Sequence, residues 1–531
     1  MSPQRIVIIG GGFAGVACAK TLRKRLTPDQ CEIVMFNREN HMVFHPLLAE
    51  VAGASINQDA VATPLRQTLP SIHCRTETVE KIDLLNNSLE FESHDGWIRR
   101  MTYDHLVIAC GRIANIGMVP GMADHAFPLK TVGDAMVLRA HLMQQLEKAE
   151  VCDDLERKRW YLSFTIIGGG YSGVETAGEI QDLMHVSRRF FRNISEDDIA
   201  VRIIHSRDHL LPEISPTLRQ FARIKLVKAG IDVILNTRVT FATAEGVRLG
   251  DGRVVNGGTL VCTIGTSITP VLERLDVPKD HDRLRTDPDM RLCGLTNAWA
   301  LGDCASILNA YDKQPSAPTG QFAERQGNQA AENIVRVIRG QPTQPFYFKP
   351  LGQLCSIGGH NAVAEILGIR ISGFFAWLLW RGIYLFKLPS WSRRTKVAFD
   401  WIWELVFSRD LAHLKTDQTT RVTRAHYNPG DYIFRQGEPG NNFYIIEKGE
   451  VEVLRAQNGQ AEAEVLAVLK EGEFFGEMAL IESQPRVASV RARTPVEVCV
   501  MGRNVFTQLS RSMTPLRNIL IDTVKLRNAA L

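Results

Sequence analysis

The chain carries the same glycine-rich sequence twice, and each copy follows a short apolar run. Residues 6–16 read IVIIGGGFAGV, and residues 165–174 read TIIGGGYSGV. Glycines at this spacing let a strand turn sharply into a helix and let the backbone approach a pyrophosphate, which the helix N-terminus stabilises. Two copies therefore predict two dinucleotide sites, the arrangement that brings a nicotinamide against a flavin.

The regular elements around both copies predict an α/β fold. A strand at 6–9, a helix at 15–26 and a strand at 32–36 form one βαβ unit. A second unit begins at Phe164. Further strands are predicted at 103–109 and 201–205, and a short strand from Ala298 runs into Gly302-Asp303. Two further helices are predicted at 173–186 and 321–339.

Length and composition limit what else the chain can be. At 531 residues three or four domains are expected, and a net charge of +4 is too small to indicate a nucleic-acid partner. Because Ile6 already begins a strand, no signal or transit peptide is expected. The ten cysteines are scattered singly without a C-x-x-C motif, so neither that kind of redox dithiol nor a metal site is predicted, and the thiols are expected to be reduced.

An aromatic and basic segment lies between residues 346 and 415, and it holds five of the eight tryptophans. The apolar stretch 371–388 is interrupted by Arg381 and ended by Lys387, and the stretch 397–407 also contains charges. Aromatic rings favour the headgroup boundary of a membrane and basic residues favour anionic lipid. Two amphipathic helices lying in the interface are predicted, and a hydrophobic dimer interface or core hairpin is the alternative.

Beyond about residue 418 short apolar runs alternate with glycine-containing turns, such as Pro429-Gly430-Asp431 and Lys448-Gly449. This spacing is typical of a small all-β barrel.

The order of motifs up to about residue 415 resembles that of the type II NADH dehydrogenases, single-subunit NADH:quinone oxidoreductases with two dinucleotide-binding folds. The motifs are GGGFAGV, HMVFHPLLAEVAG (41–53), LKTVGDA (129–135), GGGYSGVETAGEI, LGDCA, GQFAERQG (320–327) and SIGGHNAVAEILGIRISGFFAWLLW (356–380). The resemblance implies that the first fold binds FAD and the second binds NADH or NADPH. Two electrons then pass to a membrane quinone without proton pumping. It also implies a homodimer, bound peripherally to the cytoplasmic face of the cell membrane.

The domain boundaries follow from this resemblance. An FAD-binding domain is expected at 1–125 and is completed by 291–345, with the NAD(P)-binding domain at 126–290 between them. The membrane-interface helices are expected at 346–415 and a cyclic-nucleotide-binding-like domain at 418–531.

The resemblance also implies the site residues. Glu175 is expected near the nicotinamide, and Gln321 and Gln326 are expected near the flavin pyrimidine edge and the quinone carbonyl; these three are the catalytic candidates. The remaining cofactor-binding candidates are Gly10, Gly12, Phe13, Ala14, Gly15, Asn37, Arg38, Pro46, Gly111, Gly168, Gly170, Tyr171, Gly173, His205, Ser206, Arg207, Gly265, Gly302 and Asp303.

Two positions depart from the family pattern. Asn37 stands where an acid usually binds the FAD adenosine ribose, with Glu39 two residues on. His205 stands where NADH-specific relatives usually carry Glu, an acid that binds the ribose 2′-hydroxyl and repels a 2′-phosphate. With His205, Ser206 and Arg207 in that place, NADPH is expected to be accepted.

The C-terminal segment resembles cyclic-nucleotide-binding domains through HYNPGDYIFRQGEPGNNFYIIEKGEVEVL and FFGEMALIESQPRVASV (474–490). The resemblance implies that Glu477 accepts from the ribose 2′-hydroxyl and that Arg486 pairs with the cyclic phosphate of cyclic AMP or cyclic GMP. Gly476, Ala479, Val487 and Ser489 complete the expected pocket. The alternative is a ligand-free jelly roll kept for dimerisation or regulation.

Two other functions remain open from the sequence. A sulfide:quinone reductase shares both folds and needs cysteines over the flavin, for which Cys152, in a charged helix, and Cys355 are the candidates. A flavin redox sensor with the C-terminal barrel as its output is the alternative without catalysis.

Overall fold

The computed structural model describes residues 3–93, 96–412, 422–438, 440, 442–455, 464–481, 486–502, 506, 522–524 and 527. The chain divides into two units, Met1–Leu414 and Lys415–Leu531. The division falls close to residue 418, where the composition of the sequence changes.

The first glycine-rich copy lies at the centre of a five-stranded parallel sheet. Its strands, in spatial order, are Ala298–Ala300, His105–Ile108, Gln4–Ile9, Cys31–Phe36 and His73–Arg75. Helix Phe13–Arg25 follows the central strand and packs against helix Gly320–Ile338. Strand Ala298–Ala300, which lies in the chain segment after residue 291, thus completes the sheet built by residues 4–108.

The second copy lies in a second five-stranded parallel sheet. Its strands, in spatial order, are Ala126–Pro128, Thr259–Cys262, Ser163–Ile167, Ala200–Ile204 and Ile231–Ile234. The helices that accompany this sheet are Val132–Glu150, Leu155–Tyr161, Tyr171–Ser187 and Pro216–Lys228. Both sheets are buried, with strand residues such as Ile8 and Ile166 fully excluded from solvent. The predicted α/β class with two Rossmann-like folds is confirmed.

The helix and strand bounds differ from the predictions where glycine or a capping residue decides them. The short strand predicted to run from Ala298 into Gly302-Asp303 is Ala298–Ala300, and it ends there because Gly302 has φ +71° and starts a 3-10 turn, Gly302–Cys304. Cys152, predicted inside a charged helix, lies in a turn. The reason is that Asp154 accepts hydrogen bonds from the N–H groups of Glu156 and Arg157 and so begins a new helix.

Shorter elements of the first unit surround the two sheets. The short strands are His41–Val43, Ala62–Pro64, Thr78–Asp83, Ser88–Glu92, Ile98–Thr102, Ile113–Ala114, Val239–Thr243, Gly246–Leu249, Val254–Asn256, Thr266–Ser267, Lys279–Asp280, Arg283–Arg285 and Ala305–Ser306. The short helices are His45–Leu47, Leu48–Ala52, Gln58–Val61, Leu65–Thr68, Ile116–Met118, Met122–His125, Glu196–Asp198 and Pro270–Glu273.

The aromatic segment is only partly helical. It begins with an antiparallel sheet of Gly352–Ser356, Ala362–Ile366 and Ile369–Gly373, so the apolar stretch 371–388 is not one helix. Gly373, with φ +78°, ends the third strand, and helices Phe374–Lys387 and Trp391–Val406 follow. Across the described residues, no helix combines the length and the apolar character needed to span a membrane.

The second unit contains two four-stranded antiparallel sheets. One consists of Val422–Tyr427, Val496–Gly502, Asn442–Lys448 and Phe474–Phe475, and the other of Tyr432–Phe434, Ser489–Ala492, Val451–Arg455 and Glu464–Leu469. Helix Glu477–Ile481 follows strand Phe474–Phe475. The predicted all-β C-terminal domain is confirmed.

Candidate functional site

The first glycine-rich turn has the shape that a pyrophosphate needs. A Cβ on Gly15 would lie 1.9 Å from the Gly10 carbonyl oxygen, and a Cβ on Gly10 would lie 2.3 Å from that of Ala109. These two glycines therefore hold helix and strands in close contact. Nothing lies within 4 Å of a Cβ placed on Gly12. The turn is thus tightly packed against the sheet at Gly10 and Gly15. It is open at Gly12, next to the N-terminus of helix Phe13–Arg25, where an anion is stabilised.

Asn37 supports this turn from the next strand. Its Oδ1 accepts a hydrogen bond from the Gly11 N–H at 2.8 Å, and its Nδ2 donates to the Glu39 carbonyl oxygen at 2.7 Å. Arg38 and Glu39 are exposed beside it. Asn37 therefore stabilises the glycine-rich turn and the loop that follows its own strand. The sequence, in which an acid is usual at this position, did not predict this role.

The third element of this site comes from the distant helix Gly320–Ile338. Gln326 is buried, and its Oε1 accepts from the Gly302 N–H at 2.9 Å, so it fixes the turn that carries Asp303. Gln321 is half-buried, and its Oε1 accepts from the Leu351 N–H at 3.2 Å. A Cβ on Gly327 would lie 2.2 Å from the Ala14 carbonyl oxygen. The two predicted glutamines are thus brought to one end of one helix beside the first glycine-rich turn.

The second glycine-rich turn repeats the geometry of the first. A Cβ on Gly173 would lie 2.0 Å from the Gly168 carbonyl oxygen, and nothing lies within 4 Å of a Cβ on Gly170. Gly168 has φ +122°, close to the +110° of Gly10. Both turns therefore leave one glycine face open before a helix N-terminus, as a dinucleotide pyrophosphate requires.

His205 occupies the position in the second fold that Asn37 occupies in the first. Its Nδ1 accepts from the Gly169 N–H at 3.1 Å, which places the proton of the neutral ring on Nε2. Nε2 is buried and has no hydrogen-bond partner among the described residues. Burial lowers the pKa of His205, and the nearby Arg207 lowers it further. The ring is therefore a neutral donor, next to the exposed side chains of Ser206 and Arg207.

Glu175 lies one turn into helix Tyr171–Ser187, and its Oε1 accepts from the Ser356 N–H at 3.3 Å. Burial, with the neighbouring carboxyl of Glu50 acting in the same direction, raises the pKa of Glu175 to about 8. Trp380 and Tyr384 lie beside this carboxyl. At neutral pH Glu175 is therefore mostly protonated and is able to donate a proton.

A network of charged side chains, which sequence reasoning missed, lies behind Glu175. Arg409 pairs with Glu179 at 3.1 Å and with Glu404 at 2.9 Å, and Arg381 pairs with Glu404 at 2.8 Å. Glu50 accepts from the Trp401 Nε1–H at 2.8 Å, and burial raises the pKa of Glu50 to about 8. The GGGYSGVETAGEI motif contains Glu179, but its partner Arg409 lies 230 residues further along the chain, with no local pattern to connect them.

An apolar groove of about 1630 Å³, open to solvent, runs along helix Phe374–Lys387. Its apolar walls include Phe375, Leu379 and Phe386, and Glu324 enters it from the helix that carries Gln321. Lys387 pairs with Glu324 at 2.8 Å. The groove therefore leads from the aromatic helix to the neighbourhood of the predicted quinone residues.

The C-terminal unit has a pocket lined by the predicted nucleotide-binding residues Gly476, Glu477 and Arg486. Arg486 is buried, donates to the carbonyl oxygens of Gly476 at 2.9 Å and Asn442 at 2.8 Å, and lies 4.0 Å over the Phe434 ring. Glu477 is 1% exposed, and its Oε1 accepts from Arg527 at 2.7 Å. Arg527 lies outside every quoted motif, so the sequence did not identify it.

The other predicted site residues make hydrogen bonds or packing contacts within the protein, or have backbone conformations that favour glycine. Tyr171 donates to Gln353 at 2.7 Å, Phe13 packs on Phe44 at 5.6 Å, and Ser489 accepts from the Gln436 N–H at 2.9 Å. Gly111 and Gly265 have positive φ, Ala479 is buried, and Pro46 and Val487 are half-buried.

The two cysteines considered for sulfide chemistry differ in their surroundings. Cys355 is fully buried, and burial raises its pKa well above the ordinary value, with Glu175 adding to the effect. Cys152 lies in the turn before Asp154 and is half-buried. A thiol held uncharged is a poor nucleophile, so the surroundings of Cys355 do not favour attack on a sulfur substrate.

Two parallel sheets, each with an open glycine turn at a helix N-terminus, define a flavoprotein class with two dinucleotide-binding folds. A sequence profile described as pyridine nucleotide-disulphide oxidoreductase matches residues 4–327, one described as the NDH2 C-terminal domain matches 351–410, and one described as a cyclic nucleotide-binding domain matches 424–512. The chain belongs to the type II NADH dehydrogenase branch of the pyridine nucleotide-disulphide oxidoreductase family, with a C-terminal cyclic nucleotide-binding domain.

Individual relatives agree with this assignment. The internal alternative NAD(P)H-ubiquinone oxidoreductase A1 of Arabidopsis thaliana is 30% identical, covering 77% of this chain and 86% of its own. The demethylphylloquinone reductase NdbB of Synechocystis is 31% identical, covering 75% and 95%. The structure of NDH2 from Plasmodium falciparum in complex with NADH has a TM-score of 0.72 at 18% identity, covering 77% and 99%.

Proposed function

We propose that the protein is a peripheral membrane flavoenzyme that oxidises NADH, and also NADPH, and reduces a membrane quinone. The observation that carries this proposal is the pair of turns at Gly12 and Gly170, each open in front of a helix N-terminus. Bound at the first turn, FAD supplies the hydride acceptor and the two-electron donor to the quinone. The family relatives, several of them NAD(P)H:quinone oxidoreductases by name, support the same reaction.

Residues of the chain bind the two dinucleotides, hold the turns of the site in place and supply a proton to the quinone. The turn of Gly10, Gly12 and Gly15 would hold the pyrophosphate of FAD through backbone N–H donors, and the turn of Gly168, Gly170 and Gly173 would hold that of the nicotinamide nucleotide in the same way. Gln326 accepts from the Gly302 N–H and so holds the turn that contains Asp303. Glu175, protonated at neutral pH, supplies a proton to the quinone as it gains electrons.

Acceptance of NADPH follows from the end of strand Ala200–Ile204. An acid there repels a 2′-phosphate, whereas the neutral His205 presents a buried Nε2–H without a partner among the described residues. Arg207 adds an exposed positive charge two residues on. Both features favour a phosphate at the adenosine ribose.

Membrane attachment is assigned to residues 370–415. Along the two helices, exposed aromatic side chains lie close to basic ones: Phe375 is 75% exposed, Trp391 73% and Phe399 60%. Arg393, Arg394 and Lys396 belong to the same helix as Trp391 and Phe399. Such a surface buries its rings at the headgroup level and pairs its charges with anionic lipid. We place the enzyme as a homodimer on the cytoplasmic face of the cell membrane, which agrees with the described cysteines all being free thiols.

The C-terminal unit binds a cyclic nucleotide, cyclic AMP or cyclic GMP. Arg486 and Glu477 line one pocket, and a cyclic phosphate and a ribose hydroxyl match a guanidinium and a carboxylate. Because the pocket and the dinucleotide turns belong to different units, the nucleotide acts as a regulator of the dehydrogenase or of its docking.

Steady-state turnover tests the catalytic proposal. Purified protein is mixed with excess NADH and a short-chain quinone, and the NADH absorbance at 340 nm is followed. Continuous oxidation over many turnovers is expected, with NADPH also accepted. A single equivalent of NADH consumed per flavin would instead indicate a redox sensor, and flavin reduction by sulfide would favour the sulfide:quinone reductase alternative.

A further inference from the structure

The pocket of the C-terminal unit contains few polar side chains. Among the described residues that line it, three are charged: Glu477, Arg486 and Arg527. The remaining ones are glycine or have apolar side chains, and they include Phe434, Val453, Leu466, Leu469, Met478 and Val490. A ligand in this pocket therefore meets three charged groups and an otherwise apolar wall.

The three charged groups are used by the protein itself or by the sugar and phosphate of the ligand. Arg527 donates through Nη1 to the Glu477 Oε1 at 2.7 Å and through Nη2 to the Phe474 carbonyl oxygen at 3.0 Å. Glu477 and Arg486 are the groups assigned above to the ribose hydroxyl and the cyclic phosphate, and the present inference rests on that proposed function. Within the described part of the pocket, no further charged side chain is left for the base.

The backbone of the apolar wall is also occupied. Val453 pairs with Ala467 on one neighbouring strand and with Val490 on the other, and Val490 pairs in turn with Phe434. In an antiparallel sheet the N–H and C=O groups point along the sheet to the neighbouring strands, and the side chains project from its faces. At these residues the wall therefore presents methyl groups and an aromatic ring to a base, and not backbone donors or acceptors.

We propose that this pocket selects cyclic AMP over cyclic GMP. Guanine carries an exocyclic amine, a ring N–H and a carbonyl oxygen on the edge where adenine carries one exocyclic amine and one ring nitrogen acceptor. Each donor or acceptor that loses water without gaining a partner weakens binding, and guanine has more of them. The sugar and the phosphate are the same in both nucleotides, so the difference in affinity comes from the base against the apolar wall.

Calorimetric titrations of the intact protein with four cyclic nucleotides test the proposal. Cyclic AMP is expected to bind at least about tenfold more tightly than cyclic GMP, the loss that one unpaired buried polar group typically causes. Cyclic IMP, which has the carbonyl and the ring N–H of guanine but not its amine, should also bind more weakly than cyclic AMP. The 3′,5′-cyclic phosphate of unsubstituted purine riboside has no exocyclic group and should bind at least as tightly as cyclic AMP.

The Glu477→Gln variant separates selection of the base from recognition of the ribose. Its affinities for cyclic AMP and cyclic GMP are expected to fall by the same factor, because both ligands carry the same ribose hydroxyl, and their ratio should stay at the wild-type value. Glu452→Gln is the matched control and should leave all four affinities unchanged, since Glu452 pairs with Arg491 and is not among the described lining residues. A ratio that approaches one in Glu477→Gln would show that this carboxylate contacts the base, and would overturn the proposal.

The wild-type series distinguishes failure of this proposal from failure of the proposed function. Binding of cyclic GMP as tight as that of cyclic AMP, or tighter, would overturn the selectivity and leave the unit a cyclic-nucleotide-binding domain. If none of the four nucleotides bound, the cyclic-nucleotide function itself would be overturned, and the selectivity with it. The wild-type series decides the matter even where a variant fails to fold.

Discussion

Glu175 is a carboxyl kept uncharged at neutral pH by its surroundings. Burial raises its pKa to about 8, and the nearby carboxyl of Glu50 acts in the same direction. The raised pKa means that the proton is present below about pH 8 and is lost above it. The group is therefore suited to donate a proton to a substrate that gains electrons, and only over that pH range.

Replacing Glu175 by Gln removes this proton without removing much volume. We expect reoxidation of the reduced flavin by quinone to fall by about 100-fold at pH 7, the usual contribution of one general acid. In wild type the same rate should decline as pH rises through about 8, and in the variant that decline should be absent. Stopped-flow absorbance measures both, while reduction by NADH serves as the internal comparison and should change little. A wild-type decline that survives in the variant would exclude this role.

Arg207 tests the cofactor preference at the second turn. Its exposed guanidinium is expected to contact a 2′-phosphate, so Arg207→Ala should raise the KM for NADPH about tenfold, equivalent to ~1.4 kcal/mol, and leave that for NADH unchanged. Arg223→Ala, which removes an exposed charge from helix Pro216–Lys228 of the same fold, is the control for a general loss of positive charge. Equal effects of Arg207→Ala on both cofactors would contradict the assignment.

At the scale of the element, the aromatic helices are held to the dehydrogenase by buried ion pairs. Arg409 contacts Glu179 on the second fingerprint helix and Glu404 on helix Trp391–Val406, and all three side chains are at most 13% exposed. Arg409→Ala leaves two buried carboxylates without this partner, which should cost about 3–5 kcal/mol of unfolding free energy. Denaturant unfolding of the whole protein measures this loss. Arg253→Ala, which breaks an exposed pair with Asp251, should leave the unfolding midpoint nearly unchanged.

The exposed faces of the same helices predict where the membrane binds. The double variant Trp391→Ser, Phe399→Ser removes two exposed rings and should weaken binding to anionic liposomes at least about tenfold, since each ring contributes roughly 1–2 kcal/mol on burial. Turnover with a soluble quinone should be retained. Phe190→Ser, a 57% exposed ring outside these helices, should leave liposome binding unchanged. Co-sedimentation in which the double variant binds as wild type would show that another surface docks.

Local pattern predicted the elements well and the contacts between them poorly. The glycine spacing predicted both turns, because the close contacts of Gly15 with Gly10 and of Gly173 with Gly168 lie within one strand–turn–helix unit. That Asn37 accepts from the Gly11 N–H was not predicted, because this contact depends on how two strands align, and ribose binding by Asn37 stays a prediction. The Arg409 network and the Arg527 contact with Glu477 join residues tens to hundreds of positions apart, and no periodicity of the sequence encodes them.

At the scale of the whole molecule, two units with different ligands share one chain. The buried Arg486 and Glu477 predict that the intact protein binds a cyclic nucleotide, and calorimetry should detect heat with cyclic AMP or cyclic GMP. Arg486→Ala should abolish it, because the phosphate loses its charged partner. Arg491→Ala is the matched control, since Arg491 pairs with Glu452 on the neighbouring strand. The absence of heat with either nucleotide in the wild type would leave the unit as a ligand-free domain.

The central claim is that paired glycine turns bring a reduced nicotinamide to a bound flavin that a quinone then reoxidises. One anaerobic stopped-flow experiment tests it: the purified protein is mixed with one equivalent of NADH and then with one equivalent of a short-chain quinone, while flavin absorbance near 450 nm is recorded. We predict that the absorbance falls on the first mixing and returns fully on the second. A protein that neither carries nor takes up flavin, or a reduced flavin that quinone fails to reoxidise, would contradict the account.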